Sequence, residues 1–152
     1  MTRKHVFCLA SVICVLCFSA PLFAQKGISG NWEWKSPMDK AKRQDYISIT
    51  LKPRAGKVSG TIFYNELENG ETESDGGLTA FIGTVSGNTV TIEFDPQAQE
   101  PGYTENLKYK KPKGRSPAMA TLKLSNGKLI WTQTRGSFGE GIPKQFTMHR
   151  IK

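Results

Sequence analysis

Histidine is the commonest catalytic base and zinc ligand, and the chain has two, of which only His149 follows the first 24 residues. A serine nucleophile needs a base within reach, and zinc takes several protein ligands. Alternation over residues 145–151 places His149 on the face opposite Phe146 and Met148, which indicates an outward-facing side chain. The sequence therefore predicts neither a catalytic serine nor a metal site built on histidine.

Acidic side chains are the second group with possible chemistry. Glu33 with Glu93 or Asp95 would make a carboxylate pair only if the fold brought them together, because general acid–base catalysis requires that geometry first. The acidic run over residues 66–77 offers oxygen ligands, but it lacks the EF-hand spacing and its closing glutamate. We interpret it as a solvated hairpin end. We therefore expect a protein that is not an enzyme and that binds no metal or cofactor.

Positive charge is densest between residues 96 and 117, where four of the eight prolines fall and apolar periodicity is absent. Clustered cations on a loop bind polyanions with salt-dependent affinity, and a long irregular loop in a compact domain is often functional. The segment predicts contact with an anionic envelope, polysaccharide or protein surface, and its alternative interpretation is a solvated loop. The residues concerned, which follow Tyr103, are Lys108, Tyr109, Lys110, Lys111, Lys113 and Arg115.

The first 24 residues have the three parts of a secretory signal peptide. Arg3 and Lys4 precede an apolar run over residues 6–18, and small residues end at Ala24, where we expect cleavage. The apolar run is too short for a good transmembrane helix. The sequence therefore predicts export to the periplasm or the extracellular space, with residues 25–152 as one mature domain and no membrane-spanning segment in it.

Removing the signal peptide changes both the cysteine content and the charge. All three cysteines lie inside it, so the mature domain has no disulfide and no thiol chemistry. The whole chain has a net charge of +8, and loss of Arg3 and Lys4 leaves about +6. A moderate positive charge favours loose association with anionic surfaces. It does not indicate nucleic-acid binding, and we expect no nucleic-acid partner.

Period-two alternation is the main structural signal of the mature domain. The first run puts Ile28, Gly30, Trp32 and Trp34 on one face, which is typical of a half-buried strand. Other alternating runs cover residues 46–52, 58–64, 78–85, 89–95, 118–125, 128–134 and 145–151. About eight strands with mostly short connections predict an all-β, antiparallel up-and-down barrel. A two-sheet β-sandwich is the alternative.

The two ends of the mature chain carry a family resemblance. Gly30-Asn31-Trp32 on the first strand, with Arg150 near the end of the last strand, resembles the calycins, which comprise lipocalins, fatty-acid-binding proteins and avidins. The resemblance implies that Trp32 packs at the closed end of the barrel with Arg150 across it, a cation–π contact of about 1 kcal/mol or more. A second lipocalin motif and a helical lid are missing, and biotin binding is not predicted.

A calycin-like barrel implies a small hydrophobic or amphipathic ligand in the barrel cavity. Aromatic walls with a few polar groups are typical of such sites. The alternative is that the rings fill the core, because an eight-stranded barrel has little more interior than its side chains occupy. The rings that we expect around the cavity are Trp34, Tyr46, Phe63, Tyr64, Phe81 and Trp131.

Overall fold

The structure is a computed structural model that describes residues 27–72, 76–101, 107–138 and 142–151. The predicted signal peptide and Tyr103 lie outside the described residues. The strands, in chain order, are β1 (Gly30–Lys35), β2 (Arg43–Arg54), β3 (Lys57–Glu68), β4 (Glu71–Thr72), β5 (Gly77–Ser86), β6 (Thr89–Phe94), β7 (Glu100–Pro101), β8 (Ala118–Ser125), β9 (Lys128–Arg135) and β10 (Gln145–Arg150).

Eight of these strands close into a ring of antiparallel neighbours. Each long strand pairs with the next one along the chain, from β1 through β2, β3, β5, β6, β8 and β9 to β10. The last strand pairs with the first, with Trp32 opposite Arg150, and this pairing completes the barrel. The two-residue strands β4 and β7 extend β3 and β5 at one rim. The predicted up-and-down barrel is therefore confirmed, and the sandwich is not.

Inward-facing side chains from all eight long strands join in one hydrophobic core. On β2 these are Ile47, Ile49 and Leu51, each at most 1% exposed. Opposite them on β3, Gly60 is paired with Leu51. A Cβ atom at Gly60 would lie 1.8 Å from the backbone oxygen of Thr50, so this close approach of two strands requires glycine.

One end of the barrel is closed by Trp32 and Arg150. Trp32 is fully buried, and its indole Nε1 donates a 3.0 Å hydrogen bond to the carbonyl of Ile28. The Arg150 guanidinium lies 4.4 Å from the centre of the Trp32 ring and donates to the carbonyls of Ser29 and Gly27. The predicted contact between Trp32 and Arg150 is therefore present. We call this the closed end.

Connection length distinguishes the closed end from the opposite, open end. Two-residue turns at 55–56, 87–88 and 126–127 join strands at the closed end. Asn126 and Gly127 have φ of 50° and 73°, and a type I′ turn requires positive φ at both central residues. The longer connections, of which residues 95–101, 107–117, 136–138 and 142–144 are described, lie at the open end. Within the described residues, no helix is both long enough and apolar enough to cross a membrane.

Candidate functional site

Six aromatic rings form a continuous chain of contacts around the open half of the barrel. Successive ring centres are 4.5, 5.5, 5.8, 5.5 and 5.8 Å apart, within the range of favourable ring pairs. In order of contact, the rings are Trp34, Phe146, Trp131, Phe94, Phe138 and Tyr64. We call this set the aromatic arc.

The two ends of the aromatic arc, on β1 and β3, lie on either side of strand β2. Trp34 on β1 is opposite Ile47 on β2, and Ile47 is opposite Tyr64 on β3, so these three side chains form one inward row. Trp34 and Tyr64 are half-buried, whereas Ile47 is fully buried. The arc therefore has a buried middle and two partly exposed ends that face the opening.

Phe138 fills the centre of the opening. It follows β9, is 8% exposed, and contacts Tyr64, Phe94 and Trp131. The chain turns inward after Gly136, which has a φ of 72°. Sequence reasoning missed Phe138 because it belongs to no alternating run. A single aromatic residue within a glycine-rich turn was the available signal.

Acidic groups stand beside the aromatic arc. Asp45 precedes the inward Ile47 by two positions, and the Tyr64 hydroxyl donates a 3.0 Å hydrogen bond to its Oδ1. Burial, together with this bond, raises the pKa of Tyr64 to about 12. Glu66 is opposite Asp45 on β3 and lies 3.7 Å from the Nε of Arg43, which also pairs with Asp39. Asp45 and Glu66 therefore give the part of the rim beside Tyr64 a local concentration of carboxylates.

The six predicted ring residues separate into three groups. Trp34 and Tyr64 lie at the opening, whereas Phe81 and Trp131 are each 1% exposed and belong to the packed core. Tyr46 and Phe63 lie on the outer wall, 6.2 Å apart, because their neighbours Ile47 and Tyr64 face inward. The structure therefore brings two of the six to the opening.

The basic loop, residues 107–117, meets the barrel at two points. Arg115 donates 2.7 and 2.6 Å hydrogen bonds to the two carboxylate oxygens of Asp95, whose side chain is 7% exposed. The buried Tyr109 hydroxyl has no hydrogen-bond partner among the described residues. Burial and the adjacent negative charge of Glu93 raise the pKa of Tyr109 to about 12. Of these two predicted surface-binding residues, Arg115 therefore attaches the loop through Asp95, and Tyr109 lies partly buried near Glu93.

The four lysines of the basic loop differ from Arg115 and Tyr109. Each is exposed, and none forms an ion pair within the described parts of the chain. These residues are Lys108, Lys110, Lys111 and Lys113. Their charges are therefore available to an external anion.

The residues considered for catalysis are dispersed. His149 is exposed on the outer wall opposite Glu33, whereas Glu93 is on β6, which is not a neighbour of β1. Asp95 is occupied by Arg115. Within the residues that the structure describes, no group of three His, Cys, Asp or Glu side chains is placed to hold a metal ion.

The closed eight-stranded barrel and its Trp32–Arg150 contact are compatible with a calycin-like fold. No protein-family model matches the chain, and no curated protein matches it either. The function must therefore be argued from the chemistry of the barrel itself.

Proposed function

We propose that this chain is an exported, non-enzymatic binding protein of calycin-like type that holds a small hydrophobic or amphipathic molecule at the open end of its barrel. The observation that carries the proposal is the aromatic arc, whose ends, Trp34 and Tyr64, remain partly exposed. The opposite end is sealed by Trp32 and Arg150. Ligand sites of this kind combine apolar and aromatic walls with a few polar groups.

The packing of the core determines how deep the ligand would lie. Trp131 and Phe94 are at most 1% exposed, and Phe138 covers them from the side of the opening. An apolar ligand would therefore rest above Phe138, between Trp34 and Tyr64, and would not reach the centre of the barrel. Ile142, which is partly buried against the core, adds apolar surface on the same connection.

The polar groups of the rim define a preferred headgroup. Asp45 lies two residues from the inward row and accepts the Tyr64 hydroxyl, so a hydrogen-bond donor or a cation is the complementary partner. Because Asp39 and Glu66 add negative charge, we expect ammonium amphiphiles to bind more tightly than carboxylates of equal chain length at this end.

The proposal is tested by titrating the protein, purified from its own host, with the neutral apolar dye N-phenyl-1-naphthylamine. Trp34→Ala removes an arc ring, and we expect at least tenfold weaker binding. Phe63→Ala is the matched control because Phe63 is a half-buried ring on the outer wall. Circular dichroism checks that both variants are folded.

A second variant keeps the test valid if Trp34→Ala does not fold. Asp45→Asn preserves volume, and we expect it to weaken dodecylamine binding without changing dye binding. Unchanged dodecylamine binding in Asp45→Asn, or equal dye binding in Trp34→Ala and the wild type, would contradict the proposal.

A second candidate function uses the basic loop as a contact for anionic surfaces. It is favoured by the attachment through Arg115 and Asp95, because four unpaired lysines then project from a fixed base. Replacing those lysines by glutamine should remove salt-dependent cosedimentation with phosphatidylglycerol vesicles. Replacing Lys123 and Lys128, which are exposed near the closed end, is the charge control. An equal loss in both variants would rule out a specific contact.

A further inference from the structure

The outer wall of the barrel contains a groove of about 710 Å³ that crosses five strands, β2, β3, β5, β6 and β8. It is separate from the open end, and no residue of the aromatic arc lines it. We call it the side groove. Its volume is that of a site for a single small molecule.

Strand registers place the lining residues of the side groove in two rows. The first row runs from Arg54 through Lys57, Thr84 and Thr91, each opposite the next on a neighbouring strand. The second row runs from Lys52 through Ser59, Ile82 and Glu93 to Met119. Both rows therefore begin with cations; the first continues across hydroxyl groups, and the second across Ser59, Ile82 and the carboxylate of Glu93 to Met119.

Three cations concentrate at one end of the groove. Lys52, Arg54 and Lys57 are exposed, and within the described residues none of them forms an ion pair. Arg54 stands directly opposite Lys57 on the next strand, and like charges in that position destabilise a sheet. A bound anion would relieve this repulsion. The single carboxylate that lines the groove, Glu93, is three strands away from Lys52 in the second row.

Apolar surface continues from this cationic end. Ile82 is 42% exposed and lies in the middle of the second row, and Met119 stands at its far end. Neighbouring strands are about 4.8 Å apart, so the path from β3 to β8 is roughly 14 Å long. An extended alkyl chain of about dodecyl length covers that path.

We propose that the side groove binds a single anionic amphiphile. Its carboxylate, sulfate or phosphate group pairs with Lys52, Arg54 and Lys57, and its alkyl chain lies over Ile82 and passes the Glu93 side chain to reach Met119. A free molecule suits the groove better than a membrane, because the site is concave and its cations lie at one end. This inference is independent of the ligand at the open end, because no residue of the aromatic arc lines the side groove.

Isothermal titration calorimetry with dodecanoate below its micelle concentration tests the proposal. The triple variant Lys52→Gln, Arg54→Gln, Lys57→Gln should bind at least tenfold more weakly, and the affinity of the wild type should fall as salt rises. The double variant Lys123→Gln, Lys128→Gln removes two exposed charges elsewhere and should bind normally. Ile82→Ser should weaken binding of dodecanoate more than binding of butanoate, because only the long chain reaches Ile82.

Three outcomes would overturn the inference. One is equal dodecanoate binding by the triple variant and the wild type. Another is binding to phosphatidylglycerol vesicles with no binding of the monomeric amphiphile, which would mean that a lipid surface is the partner. The third is loss of dodecanoate binding in Trp34→Ala, because the chain would then lie at the open end. If instead Trp34→Ala loses only the naphthylamine dye, both sites are supported separately.

Discussion

The two ends of this barrel seal their interior in different ways. At the closed end, Trp32 is held by a hydrogen bond to Ile28 and covered by Arg150, all within or beside paired strands. At the open end, Phe138 performs the same covering role from a connection between strands. Trp32 is held by the strand ladder and is fixed, whereas Phe138 is carried by a loop and can move to admit a ligand. In this molecule the residues that mark the fold and those that suit a ligand therefore lie at opposite ends.

The largest effect is expected at the closed end. Trp32→Ala empties a fully buried site, and Trp→Ala changes in cores cost about 3–5 kcal/mol of unfolding free energy. We expect a loss near 4 kcal/mol by urea denaturation, with little direct effect on dye binding in the folded protein. A loss below about 1 kcal/mol would show that the closed end does not depend on this seal.

At the open end, Phe138→Ala should cost less and should change binding. Because a loop relaxes around a deletion more easily than a strand, we expect about 2 kcal/mol, below the range for core rings. The space released beneath Trp34 and Tyr64 should increase affinity for N-phenyl-1-naphthylamine. Weaker dye binding, measured by fluorescence at equal folded fraction, would contradict this expectation and show that contact of the dye with Phe138 outweighs the added depth.

Removing the ion pair that attaches the basic loop should lower the free energy of unfolding by a smaller amount. Arg115→Ala leaves the nearly buried Asp95 carboxylate without its ion-pair partner. Arg115 itself is partly exposed and screened by solvent, so we expect only about 1–2 kcal/mol. Limited proteolysis should cut the loop faster in this variant than in Lys113→Ala. Equal cleavage of the two would mean that the ion pair does not hold the loop.

The smallest effect is on the pH dependence of the unfolding free energy, through Tyr64 at the open end. The folded pKa of Tyr64 is raised to about 12 from its ordinary value of 10.0. Because folding favours the neutral phenol, this contribution to stability is complete below about pH 10 and is lost as pH rises toward 12. Tyr64→Phe should therefore flatten the decline in unfolding free energy between those values. Because the pKa of Tyr109 is also raised to about 12, Tyr109→Phe should flatten the decline in the same direction, and an unchanged decline in Tyr64→Phe would contradict the prediction.

Local patterns in the sequence predict the barrel because the alternation of apolar and polar residues in each strand indicates which side chains face inward. Ile47, Ile49 and Leu51 alternate as a half-buried strand must, and the Asn126-Gly127 pair specifies its own turn. The strands are longer than predicted where polar residues continue the ladder, as in the pairing of Asp45 with Glu66. Those residues carry no apolar signal, so their pairing was not evident from composition.

The candidate sites depend on contacts that no local pattern encodes. Phe138 reaches Tyr64, which is more than 70 positions earlier, through a turn whose course depends on the whole barrel. Tyr46 is predicted to line the cavity because it is aromatic, although its alternation with the inward Ile47 already indicates that it faces the outer wall. The side groove arises from the register of five strands, so Lys52, Ser59 and Ile82 come into one row only when these strands have paired.

The pairing of the first strand with the last also constrains the order of folding. Gly30–Lys35 cannot close onto Gln145–Arg150 until nearly the whole chain is present, and Arg150 reaches Ser29 across 121 positions. Contacts of such high sequence separation slow folding, because the entropy of loop closure is lost before they form. Until that step, β1 and β10 each present an unpaired edge to other chains. We therefore expect aggregation during refolding to depend on how fast β1 pairs with β10.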